Sequence, residues 1–300
     1  MNRRLFVLLS GVTVLTGCRA TPSAEVSARA QRLTASLAQT GTDPGSPLAR
    51  WILPRELGEV SGLAMTSDGR LLAHGDEWGQ VFVIDPRGGA LLKRFSIGAS
   101  GGDTRADFEG ITVVGERILM AASNGMLYEF AEGEDGERVE FVVHDTRLGK
   151  ECEFEGVAFD SAQGIVVLPC KNVRTKNLRD QMVLYRWRLE EGGDSALGPI
   201  SIALSQVIGS NGWKDLHPSD ITVDPATGNY VIVAAQEKAL IEITSQGQLV
   251  SAIPLPGKHG QTEGVARTRD GILIVSDEAT TRPASLTLYR WPLTAAKPGP

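Results

Sequence analysis

Five times the chain runs from a short acidic or polar cluster straight into an apolar strand: Glu59-Val-Ser-Gly-Leu-Ala64, Asp107-Phe-Glu-Gly-Ile-Thr112, Glu153-Phe-Glu-Gly-Val-Ala158, His217-Pro-Ser-Asp-Ile-Thr222 and Gln261-Thr-Glu-Gly-Val-Ala266. Aligning the apolar residues Leu63, Ile111, Val157, Ile221 and Val265 gives spacings of 48, 46, 64 and 44 residues. Periods of this size belong to stacked units that share a core, because one such unit cannot bury its apolar face alone.

Each cluster is followed by the same order of segments. Turns such as Ser67-Asp-Gly69, Asp224-Pro-Ala-Thr-Gly228 and Arg269-Asp-Gly271 lead into second strands such as Tyr230 to Ala235, and their glycines accept the positive φ that tight hairpins need. Third strands such as Val183-Leu-Tyr-Arg-Trp187 alternate in polarity. A fourth strand precedes the next cluster: Ala90 to Ile97, Val139 to His144, Ile200 to Gln206, Gln248 to Leu255 and, ahead of the first cluster, Ala49 to Pro54.

The pattern predicts an all-β chain, a five-bladed β-propeller of four-stranded antiparallel blades, an architecture that leaves only short, protected sheet edges. The last unit has three strands of its own, so the N-terminal strand is expected to complete it. The long interval from Val157 to Ile221 is assigned to an insertion around residues 171–180 and 190–198, with a sixth blade as the alternative.

In a propeller the starts of first strands and the ends of second strands meet at one rim. The starts carry Ser61, Glu109, Glu155, Ser219 and Glu263, with Asp220 where the other units have Gly. The second-strand ends carry Asp76-Glu77, Asn124, Lys171-Asn172, Gln236-Glu237 and Asp277-Glu278. Crowded carboxylates are relieved by a bound cation, by raised pKa values or by channel water. Hard oxygen donors suit Ca²⁺, and the expected set is Glu109, Glu155, Glu263, Asp220, Asn124, Asn172 and Asp277; an ion-free acidic channel is the alternative. Lys171, Arg174, His217 and Asp76 are the candidates for holding a ligand at the same mouth.

The motifs Val60-Ser-Gly-Leu63, Asp107-Phe-Glu-Gly-Ile111, Glu153 to Asp160, Pro218-Ser-Asp-Ile221 and Thr262-Glu-Gly-Val265 with Leu273 to Asp277 resemble the SdiA-regulated family, relatives of the NHL-repeat propellers. The resemblance runs over roughly residues 49–300. It implies a five-bladed propeller with a calcium site, no established reaction, and Glu109, Glu155 and Glu263 as the natural ligands. The first and fourth units depart from the pattern at Ser61 and at Ser219-Asp220, which moves the expected ion off-centre, towards blades two and three.

The N-terminal residues read as an export signal: Arg3-Arg4, the apolar run Leu5 to Leu15, then small residues up to Cys18. Leu15-Thr-Gly-Cys18 resembles the bacterial lipobox, which implies a signal peptide over 1–17 and a lipid on Cys18. Residue 19 is Arg rather than Asp, which favours an outer-membrane anchor facing the periplasm. Residues 18–48 are expected to be a tether, with a short helix in which Val26, Ala30, Leu33 and Leu37 share a face, and 49–300 the propeller. Export permits a disulfide between Cys152 and Cys170, which flank the hairpin turning near Ala162; two buried thiols are the alternative. Removing residues 1–17 takes away Arg3 and Arg4, so the net charge of -6 becomes -6 - 2 = -8, which argues against nucleic-acid binding.

Two functional readings remain: a monomeric, calcium-binding envelope lipoprotein that acts as a small-molecule or protein-binding scaffold, or a calcium-dependent hydrolase of the phytase or lactonase type. No nucleophile elbow, phosphate-binding loop or zinc spacing accompanies the carboxylates.

Overall fold

A computed structural model of the chain describes residues 24–39, 43, 45–99, 102–189 and 195–293. The expected export signal over 1–17 and the expected lipidation site at Cys18 lie outside these residues. Helix α1 (Ala24–Ala38) comes first, then strand β1 (Ala49–Ile52). Blade one is β2 (Val60–Met65), β3 (Leu71–Gly75), β4 (Gln80–Asp85) and β5 (Ala90–Ala99), extended by β6 (Gly102–Asp103). Blade two is β7 (Phe108–Val114), β8 (Arg117–Ala122), β9 (Met126–Ala131) and β11 (Phe141–Asp145), while β10 (Arg138–Val139) pairs back onto β5.

In blade three the innermost strand is split into β12 (Cys152–Phe154) and β13 (Ala158–Asp160), both paired to β14 (Ile165–Val173), with β15 (Gln181–Arg188) and β16 (Ser195–Ala203) outside. Blade four is β17 (Asp220–Val223), β18 (Tyr230–Ala234), β19 (Ala239–Ile243) and β20 (Leu249–Pro254); blade five is β21 (Thr262–Arg267), β22 (Ile272–Asp277) and β23 (Ser285–Arg290). Strand β1 pairs antiparallel with β23, from Ala49↔Leu288 to Ile52↔Ser285, so the N-terminal strand closes the ring.

There are five blades and no sixth among the described residues. The interval expected to hold an insertion is taken up by the long β14, the short 3-10 turn Lys176–Leu178, β16 and the helix α2 (Leu204–Ile208). The fourth strand of blade three therefore ends at Ala203 instead of Gln206, because the chain turns into α2, whose Val207 enters the core between blades three and four.

Apolar residues on alternate positions of each strand fill the clefts between neighbouring blades. Ile111, Phe82-flanking Val81 and Val83, and Phe130 pack between blades one and two, and Val233, Val265 and Leu273 between blades four and five. Helix α1 joins the cleft between blades five and one. Leu33, 1% exposed, packs with Leu57 and Leu288. Arg290 donates to the carbonyls of Leu37 (2.8 Å) and Ser36 (2.7 Å), satisfying acceptors that a helix C-terminus otherwise leaves open. Within the expected tether of residues 18–48, Ala24–Ala38 is thus a docked helix. Cys152 and Cys170 are joined as a disulfide between β12 and β14, with Cα atoms 5.7 Å apart.

Candidate functional site

The rim is shaped by β-bulges. Val60 pairs with Gly75 and Gly62 with His74, which leaves Ser61 as the extra residue; the same slip makes Glu109 extra in blade two and Glu263 extra in blade five. In blade three the extra residue is on the second strand and is Lys171, because Glu153 pairs with Asn172 and Phe154 with Cys170. A bulge leaves its extra residue out of the ladder and re-aims its side chain. Three members of the polar column, Ser61, Glu109 and Glu263, are therefore bulged residues at the mouth.

The glycines that follow have a steric reason. A Cβ on Gly110 would lie 2.6 Å from the backbone of Gly156, and one on Gly264 2.3 Å from Ser276 Oγ. Blade four alone carries a side chain here. Asp220 is fully buried, its Oδ2 accepts the Val265 N–H at 2.8 Å, and its Oδ1 has no partner. Burial raises its pKa well above the carboxylate range, against the backbone N–H groups that hold it down.

Above this plug, Glu109, Glu155 and Glu263 interact electrically, and Lys171 stands among them. Its Nζ donates to Glu155 Oε1 at 2.7 Å, and Ser61 Oγ donates to Glu109 Oε2 at 3.2 Å. Burial, then the charges of Glu155 and Asp107, push the Glu109 carboxyl up. Burial also raises Glu155, with the Lys171 bond opposing it. Glu263 is pushed up to about 7 by burial and by Glu155 and Glu278. Burial alone would lower Lys171, and its bond to Glu155 with the charges of Glu263 and Glu109 more than offset this, so its pKa is raised. Like charges this close raise one another's proton affinity, so Glu109 and Glu155 titrate as a coupled pair.

The seven donors expected to share an ion do not converge. Asp277 accepts from Thr262 Oγ1 at 3.1 Å and contacts His259 Nδ1 at 2.8 Å. Asn124 Oδ1 accepts the Met126 N–H at 3.0 Å, and Asn172 lies on β14 opposite Glu153. Among the described residues no three His, Cys, Asp or Glu side chains are grouped as a metal would need. Glu109, Glu155 and Glu263 have the oxygen chemistry of a hard-cation site, and the ammonium of Lys171 stands beside them, bonded to Glu155.

The expected ligand-holding residues are also divided. Lys171 and His217 line one small cavity of about 230 Å³ with Arg179 and Asp215, and His217 Nδ1 contacts Glu237 Oε1 at 2.8 Å. Asp76 lines a different one of about 260 Å³ with Glu77, Arg105 and Asp107. Arg174 is turned to the Gly149 carbonyl and stands 3.7 Å from Glu153. His74, on β3 opposite Gly62, is fully buried behind that glycine, and burial lowers its pKa to about 4.

A cavity of about 510 Å³ is at the opposite end of the channel. Its wall includes the residue two places after the aligned apolar position in every blade: Met65, Val113, Phe159, Val223 and Arg267. Sequence reasoning passed over this mouth because four of the five read as ordinary core. The signal was present in the same alignment, where Arg267 stands against four apolar residues.

The comparisons with known proteins agree with this geometry. The chain resembles a glutaminyl cyclase from Myxococcus xanthus, with a TM-score of 0.55 at 12% identity over 81% of this chain and 94% of that one. It resembles a luciferin-regenerating enzyme with a TM-score of 0.50 at 10% identity, over 82% of this chain and 96% of the other. At such identities the likeness shows the fold alone. No curated protein matches the sequence. The family model described as SdiA-regulated matches residues 208–291, a stretch that spans blades four and five together with α2's last residue. The chain is a five-bladed β-propeller whose last two blades carry the SdiA-regulated signature.

Proposed function

We propose that this chain is a non-catalytic binding propeller of the bacterial cell envelope, held by a lipid on Cys18 and using its acidic mouth to hold a ligand or a protein partner. The observation that carries this reading is that four of the mouth's acids are already matched within the chain: Glu155 with Lys171, Glu109 with Ser61, Asp277 with His259 and Glu237 with His217. A hydrolase needs a nucleophile or activated water beside a base in an open pocket. This rim instead presents paired charges, which suit the recognition of charged partners and disfavour wrong ones.

Calcium enters this reading as a competitor. An ion held by Glu109, Glu155 and Glu263 requires these acids, whose pKa values are raised, to be ionised and Lys171 to leave Glu155. The parent chain is therefore expected to bind Ca²⁺ weakly, and Lys171→Met to bind it at least tenfold more tightly by isothermal titration calorimetry. Tight binding by the parent, with a melting temperature that falls on chelation, would restore calcium as a resident ion and reject the competitor role.

A further inference from the structure

The 510 Å³ cavity lies at the mouth remote from the acidic rim, and its wall is built by the repeat itself. Met65, Val113, Phe159 and Val223 each pack against an apolar cluster between two blades. In the fifth blade the equivalent residue is Arg267, 4% exposed, stacked 4.7 Å from the Trp291 ring centroid and 3.4 Å from Asp224 Oδ1. Its Nε and Nη1 have no hydrogen-bond partner. A buried guanidinium with unmatched donors in an apolar ring costs stability that an aliphatic side chain would not.

The other charged residues of the wall point the same way. They are Arg87, Arg269 and Asp270; Asp270 is ion-paired to Arg87 and Asp224, behind the wall, to Arg267, which leaves Arg269, among the described residues, as the arginine of the wall without a carboxylate partner. Arg269 is exposed at the lip, two residues after Arg267. The opposite mouth carries the glutamates, so an anion is repelled at one end of the channel and favoured at the other. The cavity's volume is within the range of small-molecule sites, which combine an apolar wall with a few polar groups that fix orientation.

We propose that this second mouth binds a small carboxylate with an aliphatic body, the body lying against the ring of Met65, Val113, Phe159 and Val223 and the carboxylate drawn to Arg267 and Arg269. This site is separate from the acidic mouth and does not depend on what that mouth binds. Arginine suits the role because its planar fork matches a carboxylate in two bonds.

The test is calorimetric titration of the full-length chain with sodium octanoate and, in parallel, with 1-octanol, which has the same eight-carbon body and no charge. Octanoate is expected to bind at least tenfold more tightly than octanol, and Arg269→Gln to weaken octanoate several-fold without changing octanol or the melting temperature. Arg267→Met should abolish the preference for the charged ligand. If that variant does not fold, Arg269→Gln decides alone, together with amide shift changes on octanoate addition that should centre on Val113 and Phe159. Equal affinity for the two ligands, no binding of either, an undiminished octanoate affinity in Arg269→Gln, or shift changes centred on Glu109 and Glu263 would each overturn the proposal.

Discussion

At the residue scale, the most constrained group is Asp220. Four blades place glycine where the inner strands converge, and the one carboxyl in the ring accepts an N–H from blade five with its partner oxygen left unmatched. With its pKa raised by burial, the side chain favours its protonated form, whose nearest isostere is Asn. Asp220→Asn is therefore expected to leave stability within about 0.5 kcal/mol of the parent, while Asp220→Ala orphans the Val265 N–H and costs about 1–3 kcal/mol. Urea denaturation at pH 7 measures both. Equal losses in the two variants would mean that the ionised carboxylate, and not its shape, holds the centre.

The same scale shows where residue identity alone was not enough. The Glu-Gly pairs identified the column at the rim, but one extra residue in a ladder leaves no mark on the apolar pattern, so the bulges that aim Glu109 and Glu263 were invisible. The sequence places Lys171 at the end of a second strand, where the insertion of residues 171–180 starts. It is a bulged residue of β14, bonded to Glu155 across the blade.

At the scale of elements, the strands were legible because side-chain alternation and turn glycines are local signals. The closing strand β1 was legible because an unfinished fifth blade demands a partner. Helix α1 was half legible: its apolar stripe was visible, and its destination was not, because docking depends on a cleft formed by residues far along the chain. Leu33 is buried against Leu57 and Leu288, and Arg290 caps the helix end. Leu33→Ala is expected to destabilise the chain by about 2–4 kcal/mol and to speed hydrogen exchange across Ala24–Ala38. A loss below about 0.5 kcal/mol would return the segment to a free tether.

At the scale of the whole molecule, burial and crowding raise a group of carboxyls around one mouth. Glu263 and Glu278 are pushed up to about 7, and Glu109, Glu155, Asp76 and Asp220 move in the same direction. A carboxyl whose pKa is higher folded than unfolded binds its proton more tightly in the native state. Its contribution is complete below the unfolded value near 4.5 and is lost as pH rises through the folded value. His74, lowered to about 4 by burial, acts oppositely: its contribution is present above its unfolded value of 6.5 and is lost as pH falls towards 4.

Several carboxyls oppose one histidine, so net stability is expected to fall as pH rises from 5 to 8. After allowance for solvent at the half-exposed Glu278, the loss is about 2 kcal/mol, or about 4–8 °C in melting temperature for a chain of this size. Glu263→Gln removes one of the titrating groups and should flatten the profile, with its largest gain over the parent at pH 8. Calorimetric scans at constant ionic strength separate this from general charge repulsion, which salt would screen. A parent Tm that climbs between pH 5 and 8, or a Glu263→Gln profile parallel to the parent's, would mean that the mouth's carboxyls are ionised in the native state and that Lys171 is their full counter-charge.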